Sequence, residues 1–235
     1  AYLSSGTWSL LGVEIDEPII TQLAREYNFT NEVGVFDTIR LLKNINGLWL
    51  VQECRRVWKE EGNDWGYFDL AKMAAGAERL QSFIDPDDPR FAGRCDMPAE
   101  IADYCRETGQ IVPEGPAQIL RLVTDSLALK VRFVLDRLEK LIDRPIDILH
   151  IIGGGGQNDQ LNMSISSSIN RPVIVGPYEA TAAGNLMMQE VASGRLDSLE
   201  EGRALIRNSF ATKRFEPQHP KEWEEAYQRF AKLIS

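Results

Sequence analysis

One apolar stripe runs unbroken from Leu120 to Leu141, through Leu120, Val123, Leu127, Val131, Val134, Leu138 and Leu141 at steps of three and four. That spacing places all seven side chains on one face of a single α-helix, upwards of about five turns long. A helix of this length buries its face only against a broad apolar surface, and the segment after it reads as part of a sheet. Pro145 stops the helix and Asp147–Ile152 reads as a strand. Then come Gly153-Gly154-Gly155-Gly156-Gln157-Asn158 and a second helix through Leu161, Ile165 and Ile169.

The rest of the chain is arranged around this unit. Tyr2–Ser4 and Trp8–Val13 read as a hairpin turned by Ser5-Gly6-Thr7, with a third strand within Glu32–Asp37. Leu41–Glu60 reads as helix on the steps of Leu48, Val51, Arg55 and Trp58, closed by Gly62. Residues 63–116 read as a helical insertion. One helix there carries Leu70, Met73, Ala77 and Leu80; after the breaker Asp85-Pro86-Asp87-Asp88-Pro89, another is opened by Pro98 and closed by Gly109. Past the glycines, Pro172–Val175 reads as a short strand. Glu179–Ala192 reads as a small-residue helix pressed closely on the sheet, with Met187 and Met188 in the core. Ser198 with Glu201 caps a further helix, and Pro220 opens a last one with Trp223, Tyr227, Phe230 and Ile234 as its stripe. A hairpin, a strand, a helical region and a βαβα tail predict an α/β fold, a mixed sheet with helices against it.

Charge and cysteine content remove several function classes. Twenty-six Lys and Arg against 35 Asp and Glu give a net charge of −9, with no basic run, so neither nucleic acid nor an anionic membrane surface is an expected partner. No apolar run approaches the roughly 20 residues of a membrane helix. Three cysteines without a C-x-x-C suit a reducing, cytoplasmic compartment. The two histidines, His150 and His219, stand apart, which argues against a metal centre or a Ser-His-Asp triad. The chain opens AYLSSGTWSL, already in a strand and with no basic and apolar leader, so it is expected to be one domain of a longer protein.

The glycine run carries the strongest chemical signal. Four glycines between a strand and a helix remove every Cβ from one turn, so a phosphate or ribose can approach the backbone at a helix N-terminus. No Gly-Lys-Ser/Thr comes after it, so it is not a Walker loop. Asn158 stands where a dinucleotide fingerprint needs its third glycine, and the next strand lacks a ribose-binding acid, which argues against a nicotinamide-dependent oxidoreductase. Ser4-Ser5-Gly6-Thr7 is either an ordinary turn or a hydroxyl-rich cradle for a terminal phosphate. Asn44, Leu48 and Gln52 lie four apart. On a helix, Asn44 and Gln52 either point into a cleft, about 12 Å apart along the axis, or serve as a cap and a solvated side chain.

Four segments in order resemble the rhamnulokinases, a branch of the FGGY carbohydrate kinase family. They are Ser4-Ser5-Gly6-Thr7-Trp8-Ser9; Leu42-Lys43-Asn44-Ile45 with Gly47-Leu48-Trp49-Leu50 and Gln52; His150-Ile151-Ile152-Gly153-Gly154-Gly155 with Gln157-Asn158; and Gly176-Pro177 with Glu179-Ala180-Thr181 and Gly184-Asn185. The resemblance covers residues 1–235 as the carboxy-terminal, nucleotide-binding half of such a kinase, with the amino-terminal sugar-binding domain absent from this chain. It implies an actin-like ATPase (ribonuclease-H-like) fold and transfer of the γ-phosphate of ATP, with Mg2+, to the 1-hydroxyl of L-rhamnulose. By resemblance, Gly6 and Thr7 meet the ATP phosphates and Gln52 contacts the nucleotide. Gly154 and Gly155 lie against its α-phosphate and ribose, Asn158 sits near the adenosine, and Asn44 reaches toward the sugar. The family's catalytic Asp, in a Gly-x-His-Asp motif, has no counterpart here, nor do its metal ligands, so the chain alone is expected to be inactive. The alternatives are a kinase for another ketose, such as L-fuculose or xylulose, and a non-catalytic actin-like module that binds a nucleotide to switch a partner.

Overall fold

The computed structural model describes residues 1–234. Its frame is a seven-stranded mixed sheet in the order β3-β4-β2-β1-β5-β6-β7. β1 (Tyr2–Ser5) and β2 (Trp8–Ile15) form the expected hairpin, and β2 continues antiparallel along the whole of β4 (Ile39–Asn46), whose other edge carries β3 (Thr30–Val33). β5 (Leu149–Ile152) lies parallel to β1, and β6 (Val173–Val175) lies parallel to β5. β7 (Lys213–Phe215), which has no clear sequence signal, closes the far edge antiparallel to β6.

Nine α-helices appear among the described residues. A short α1 (Gln22–Glu26), capped by the Thr21 hydroxyl, precedes β3; it too has no clear sequence signal. The expected helix Leu41–Glu60 is two elements. Residues 39–46 are strand β4, and α2 spans Trp49–Glu60. Eight consecutive pairings from Trp8↔Asn46 to Ile15↔Ile39 claim that segment for the sheet, a long-range commitment that outweighs its helix-like spacing. The third strand likewise lies slightly earlier than expected, because a turn with Phe36 and Asp37 at positive φ occupies the end of Glu32–Asp37.

α3 (Tyr67–Gly76) stops before Ala77 and Leu80, short of its expected end; Leu80 sits at φ 61 with its N–H donated to Asp125 at 2.8 Å. α4 (Met97–Glu107) has Pro98 in its first turn and ends before Gly109 at φ 67. The breaker between them is anchored inward: Lys130 holds Asp85 at 2.7 Å and Asp87 at 2.9 Å, and Asp87 accepts the Asn46 N–H. α5 (Gly115–Ile142) is the long helix, and α6 (Asp159–Ile169) comes after the glycine run. Both pack on one face of the sheet, against Leu3, Leu11, Ile45 and Ile151, and α9 (Pro220–Leu233) adds Trp223 and Phe230 to the same core.

The opposite face differs from expectation. α7 (Ala180–Ala192) is not pressed on the sheet. It has no buried residue and pairs with α8 (Leu199–Ser209) instead; a Cβ at Gly184 would meet open space. Met187 and Met188 are only half-buried, with Met187 against Gly202 of α8. Small residues permit close approach, but the partner surface they meet here is another thin helix. At α8 the Ser198 hydroxyl accepts the Glu201 N–H as expected, while the Glu201 carboxylate takes the N–H of Asp197. All three cysteines are free thiols; burial pushes Cys54 up, and Cys105 up to about 11.

Candidate functional site

Because β1 and β5 are adjacent and parallel, their carboxyl ends emerge side by side. Gly6-Thr7 extends one and Gly153–Gly156 extends the other, so the two glycine turns face each other across the end of the sheet, where α/β sheets take their ligands. The contact is intimate. Gly153 sits at φ 87, and a Cβ there would stand 2.7 Å from the Ser5 carbonyl oxygen; a Cβ on Gly155 would collide with the Ser5 hydroxyl oxygen. Gly154 differs: a Cβ there would meet nothing within 4 Å, because its Cα faces the cavity.

The hairpin tip is fixed from the other side by α2. That helix has no side-chain cap. Its opening amides are taken by the tip, Leu48 N–H donating to the Gly6 carbonyl at 2.9 Å and Trp49 N–H to the Thr7 carbonyl at 3.1 Å. Gly47 makes the approach possible, since a Cβ there would stand 2.6 Å from the Gly6 carbonyl oxygen. One turn into α2, the Gln52 amide nitrogen donates to the Thr7 hydroxyl oxygen at 3.0 Å. That bond uses an acceptor lone pair of Thr7 and leaves its O–H proton to donate elsewhere.

After the glycines, residues 154–157 make a 3-10 turn whose first amides have no partner within the turn. Asn158 then caps α6, its side-chain oxygen accepting the Leu161 N–H at 3.0 Å, and the buried Asn162 side chain ties the turn down by donating to the Gly156 carbonyl at 2.7 Å.

These parts enclose one cavity of about 480 Å³, and Gly6, Thr7, Gln52, Gly154, Gly155 and Asn158 all line it. Six of the seven residues expected at a site are thus brought together. Asn44 is elsewhere. It is exposed on β4 opposite Leu10, on the sheet face turned away from α5. The helical spacing of Asn44 and Gln52 does not exist in the fold, and with it goes the axial distance derived from it.

The other half of the cavity has no counterpart among the residues expected from the sequence. Leu70, Ala71 and Ala74 of α3, Leu120 and Thr124 of α5, and the α3 aromatics Tyr67 and Phe68 complete its wall. Their periodicity signals a buried helix face, which is also true of Leu70, Ala74 and Leu120; nothing in that signal separates core from cavity wall. No Asp, Glu or His lines the cavity, and among the described residues no cluster of three such side chains could hold a metal ion.

Comparison with known proteins gives a consistent result. Residues 1–193 match the family model described as the FGGY family of carbohydrate kinases, C-terminal domain. The chain is 48% identical over its whole length to a rhamnulokinase of Bacteroides thetaiotaomicron, covering 47% of that protein, and 43% identical over 92% of its length to one of Bacillus subtilis, covering 44%. It therefore spans about half the length of these curated relatives. Among solved structures, a xylulose kinase from Rhodospirillum rubrum superposes with a TM-score of 0.72 at 14% identity, and a Plasmodium falciparum glycerol kinase with ADP with a TM-score of 0.70 at 16%; each is matched by 99% of this chain over 46% of its own. At such identities the likeness is one of fold, the actin-like layout expected from the order of elements.

Proposed function

Because the chain belongs to the FGGY family of carbohydrate kinases, as its carboxy-terminal domain, we propose that residues 1–235 are the nucleotide-binding lobe of an ATP-dependent kinase that phosphorylates the 1-hydroxyl of L-rhamnulose. The observation that carries this reading is the meeting of the Gly6-Thr7 tip and the Gly154-Gly155 turn in one cavity. A polyphosphate needs backbone amides, small residues and a hydroxyl donor at close quarters, and the cavity end offers these without a fixed cation. Thr7, its proton left free by Gln52, donates to a terminal phosphate; Gly154 gives the chain of phosphates room; Asn158 flanks the nucleoside. The 40–48% identity to rhamnulokinases favours L-rhamnulose over L-fuculose or xylulose.

Phosphoryl transfer is mostly positioning and charge neutralisation, with a base to take the acceptor's proton. The cavity wall supplies no carboxylate for that base and no metal ligands. Both are assigned to the other half of the polypeptide, together with most of the sugar site and the acids that would hold Mg2+. The isolated chain then binds nucleotide and transfers nothing. Residues 63–116, which carry α3 and α4 and run into the first turn of α5, are an insertion in this lobe that walls the nucleoside side through α3.

Calorimetric titration of the chain with ADP and Mg2+, with NAD as control, tests the reading. Saturable ADP binding, absent for NAD and lost in Gly154→Val, is expected, because a side chain at Gly154 starts in open cavity space, its Cβ clear of every protein atom within 4 Å. Unchanged affinity in Gly154→Val removes the turn from the site. In the two-lobed polypeptide, Asn44→Ala is expected to raise KM for the sugar and leave KM for ATP unchanged; the opposite pattern takes Asn44 out of the sugar site.

A further inference from the structure

Away from the phosphate loops the cavity is apolar, walled by Val51 of α2, Leu70 and Ala74 of α3 and Leu120 of α5. Its rim is formed by Tyr67 and Phe68, the first two residues of α3, 56% and 81% exposed. Two neighbouring aromatic side chains left this open at the mouth of an apolar cavity are unusual, since each carries a large apolar face whose burial is favourable. Tyr67 is clamped. The Arg55 guanidinium lies 5.1 Å from its ring centroid, and Arg55 is itself held by the Trp65 carbonyl at 2.6 Å and by Asp64 at 3.1 Å. Phe68, next to it, is the more exposed of the two. Deep in this half of the cavity, Thr124 is 2% exposed, and its hydroxyl donates into its own helix, to the carbonyl of Leu120 at 3.1 Å or Arg121 at 3.0 Å. Its proton is therefore already committed, and its flanking wall is hydrocarbon.

We propose that Phe68, with Tyr67 fixing the start of α3 beside it, is the base-stacking residue of the nucleotide site, and that the site holds the nucleobase by its faces rather than by its edge. The inference rests on the nucleotide-lobe reading above and adds to it how the base is recognised. With the phosphates at Thr7 and Gly154, the nucleoside extends past Asn158 toward α3. A flat heterocycle there has the Leu70–Ala74–Leu120 wall on one side and the Phe68 ring on the other. Every base has a π-face, so stacking grips purines without reading their substituents. Adenine and guanine are separated by donors and acceptors at the edge; the Val51, Leu70, Ala74 and Leu120 wall offers none, and the amides of Gln157 and Asn158 stand at the glycine turn.

The test is calorimetric titration of the 235-residue chain with ADP and with GDP, each with Mg2+, comparing the unsubstituted chain, Phe68→Ala, Phe68→Trp and Gly154→Val. Phe68→Ala is expected to weaken ADP binding on the order of tenfold, Phe68→Trp to keep it within about threefold, and GDP to bind within about tenfold of ADP. Because Phe68 is mostly exposed, Phe68→Ala is expected to leave the unfolding midpoint unchanged, which separates lost stacking from lost fold. ADP affinity indifferent to Phe68→Ala, with Gly154→Val still abolishing it, overturns the stacking role and leaves the lobe reading standing. No ADP binding to the unsubstituted chain overturns both. A preference for ADP over GDP beyond about a hundredfold overturns recognition by the faces.

Discussion

The two faces of the sheet are finished to different degrees. On one, α5 buries fifteen residues and α6 eight, interlocked with strands β1, β2, β4 and β5 in a continuous core. On the other, α7 buries none and α8 only Gly202. Leu186, Leu205 and Phe210 stay exposed there, and a cavity of about 970 Å³ separates these helices from Tyr2, His150 and Ile174 of the sheet. The contrast shows where rigidity is placed. The two glycine turns proposed to meet the phosphates hang from β1 and β5, whose core sides are filled by Leu3 and Ile151, and the Gly155–Ser5 approach tolerates no slack. Precision of a few tenths of an ångström at a site needs a close-packed support, and that support lies on the α5–α6 side.

The largest expected effect tests how tightly the α5 side of the molecule is packed. Leu129, fully buried at the middle of α5, is expected to cost about 3 kcal/mol on replacement by alanine, from lost transfer energy and the cavity left in a tightly packed layer. For a chain of this size that lowers Tm by roughly 6–12 °C, read by calorimetry or circular dichroism. A loss below about 1 kcal/mol would mean that the layer relaxes around the hole, and the two faces would then differ in shape but not in stiffness.

The same contrast explains what the sequence discloses. The α5 stripe, the Asp147–Ile152 strand, the glycine turn and the α6 helix are legible because their signals are local: a helical period, a proline, a run of residues without Cβ atoms. The glycine-turn end of the cavity is legible for the same reason, since Gly6, Thr7, Gly154 and Gly155 sit in turns whose composition shows their conformation. Residues 39–46 are not legible. Leu41, Leu42 and Ile45 are spaced as well for a helix as for a strand, and only pairing with β2, some thirty residues earlier, decides it. The small residues of α7 carry an analogous ambiguity: they allow close packing but do not say against which surface. Phe68 is invisible for a third reason. An exposed aromatic at a helix start has no period, and its position over a cavity depends on how α3 settles against α5.

At the small end, Leu186 of α7 sharpens the comparison. It is 61% exposed, its helix contributes no residue to the core, and its neighbours belong mainly to α8. Leu186→Ala removes as many carbon atoms as Leu129→Ala and has the same helix-propensity change, so the two substitutions differ only in the surroundings of the side chain. With most of its surface already in water, little transfer energy is lost and no closed cavity is left. The expected change is within about 0.5 kcal/mol, a shift of about 2 °C or less. Titration of the Leu186→Ala chain with ADP should also match the unsubstituted chain, since the glycine turns that line the cavity are held from the other face. A destabilisation near that of Leu129→Ala would show that α7 and α8 close down on Tyr2 and Ile174 in solution, and the face now seen as thinly covered would share in holding β1 and β5 in place.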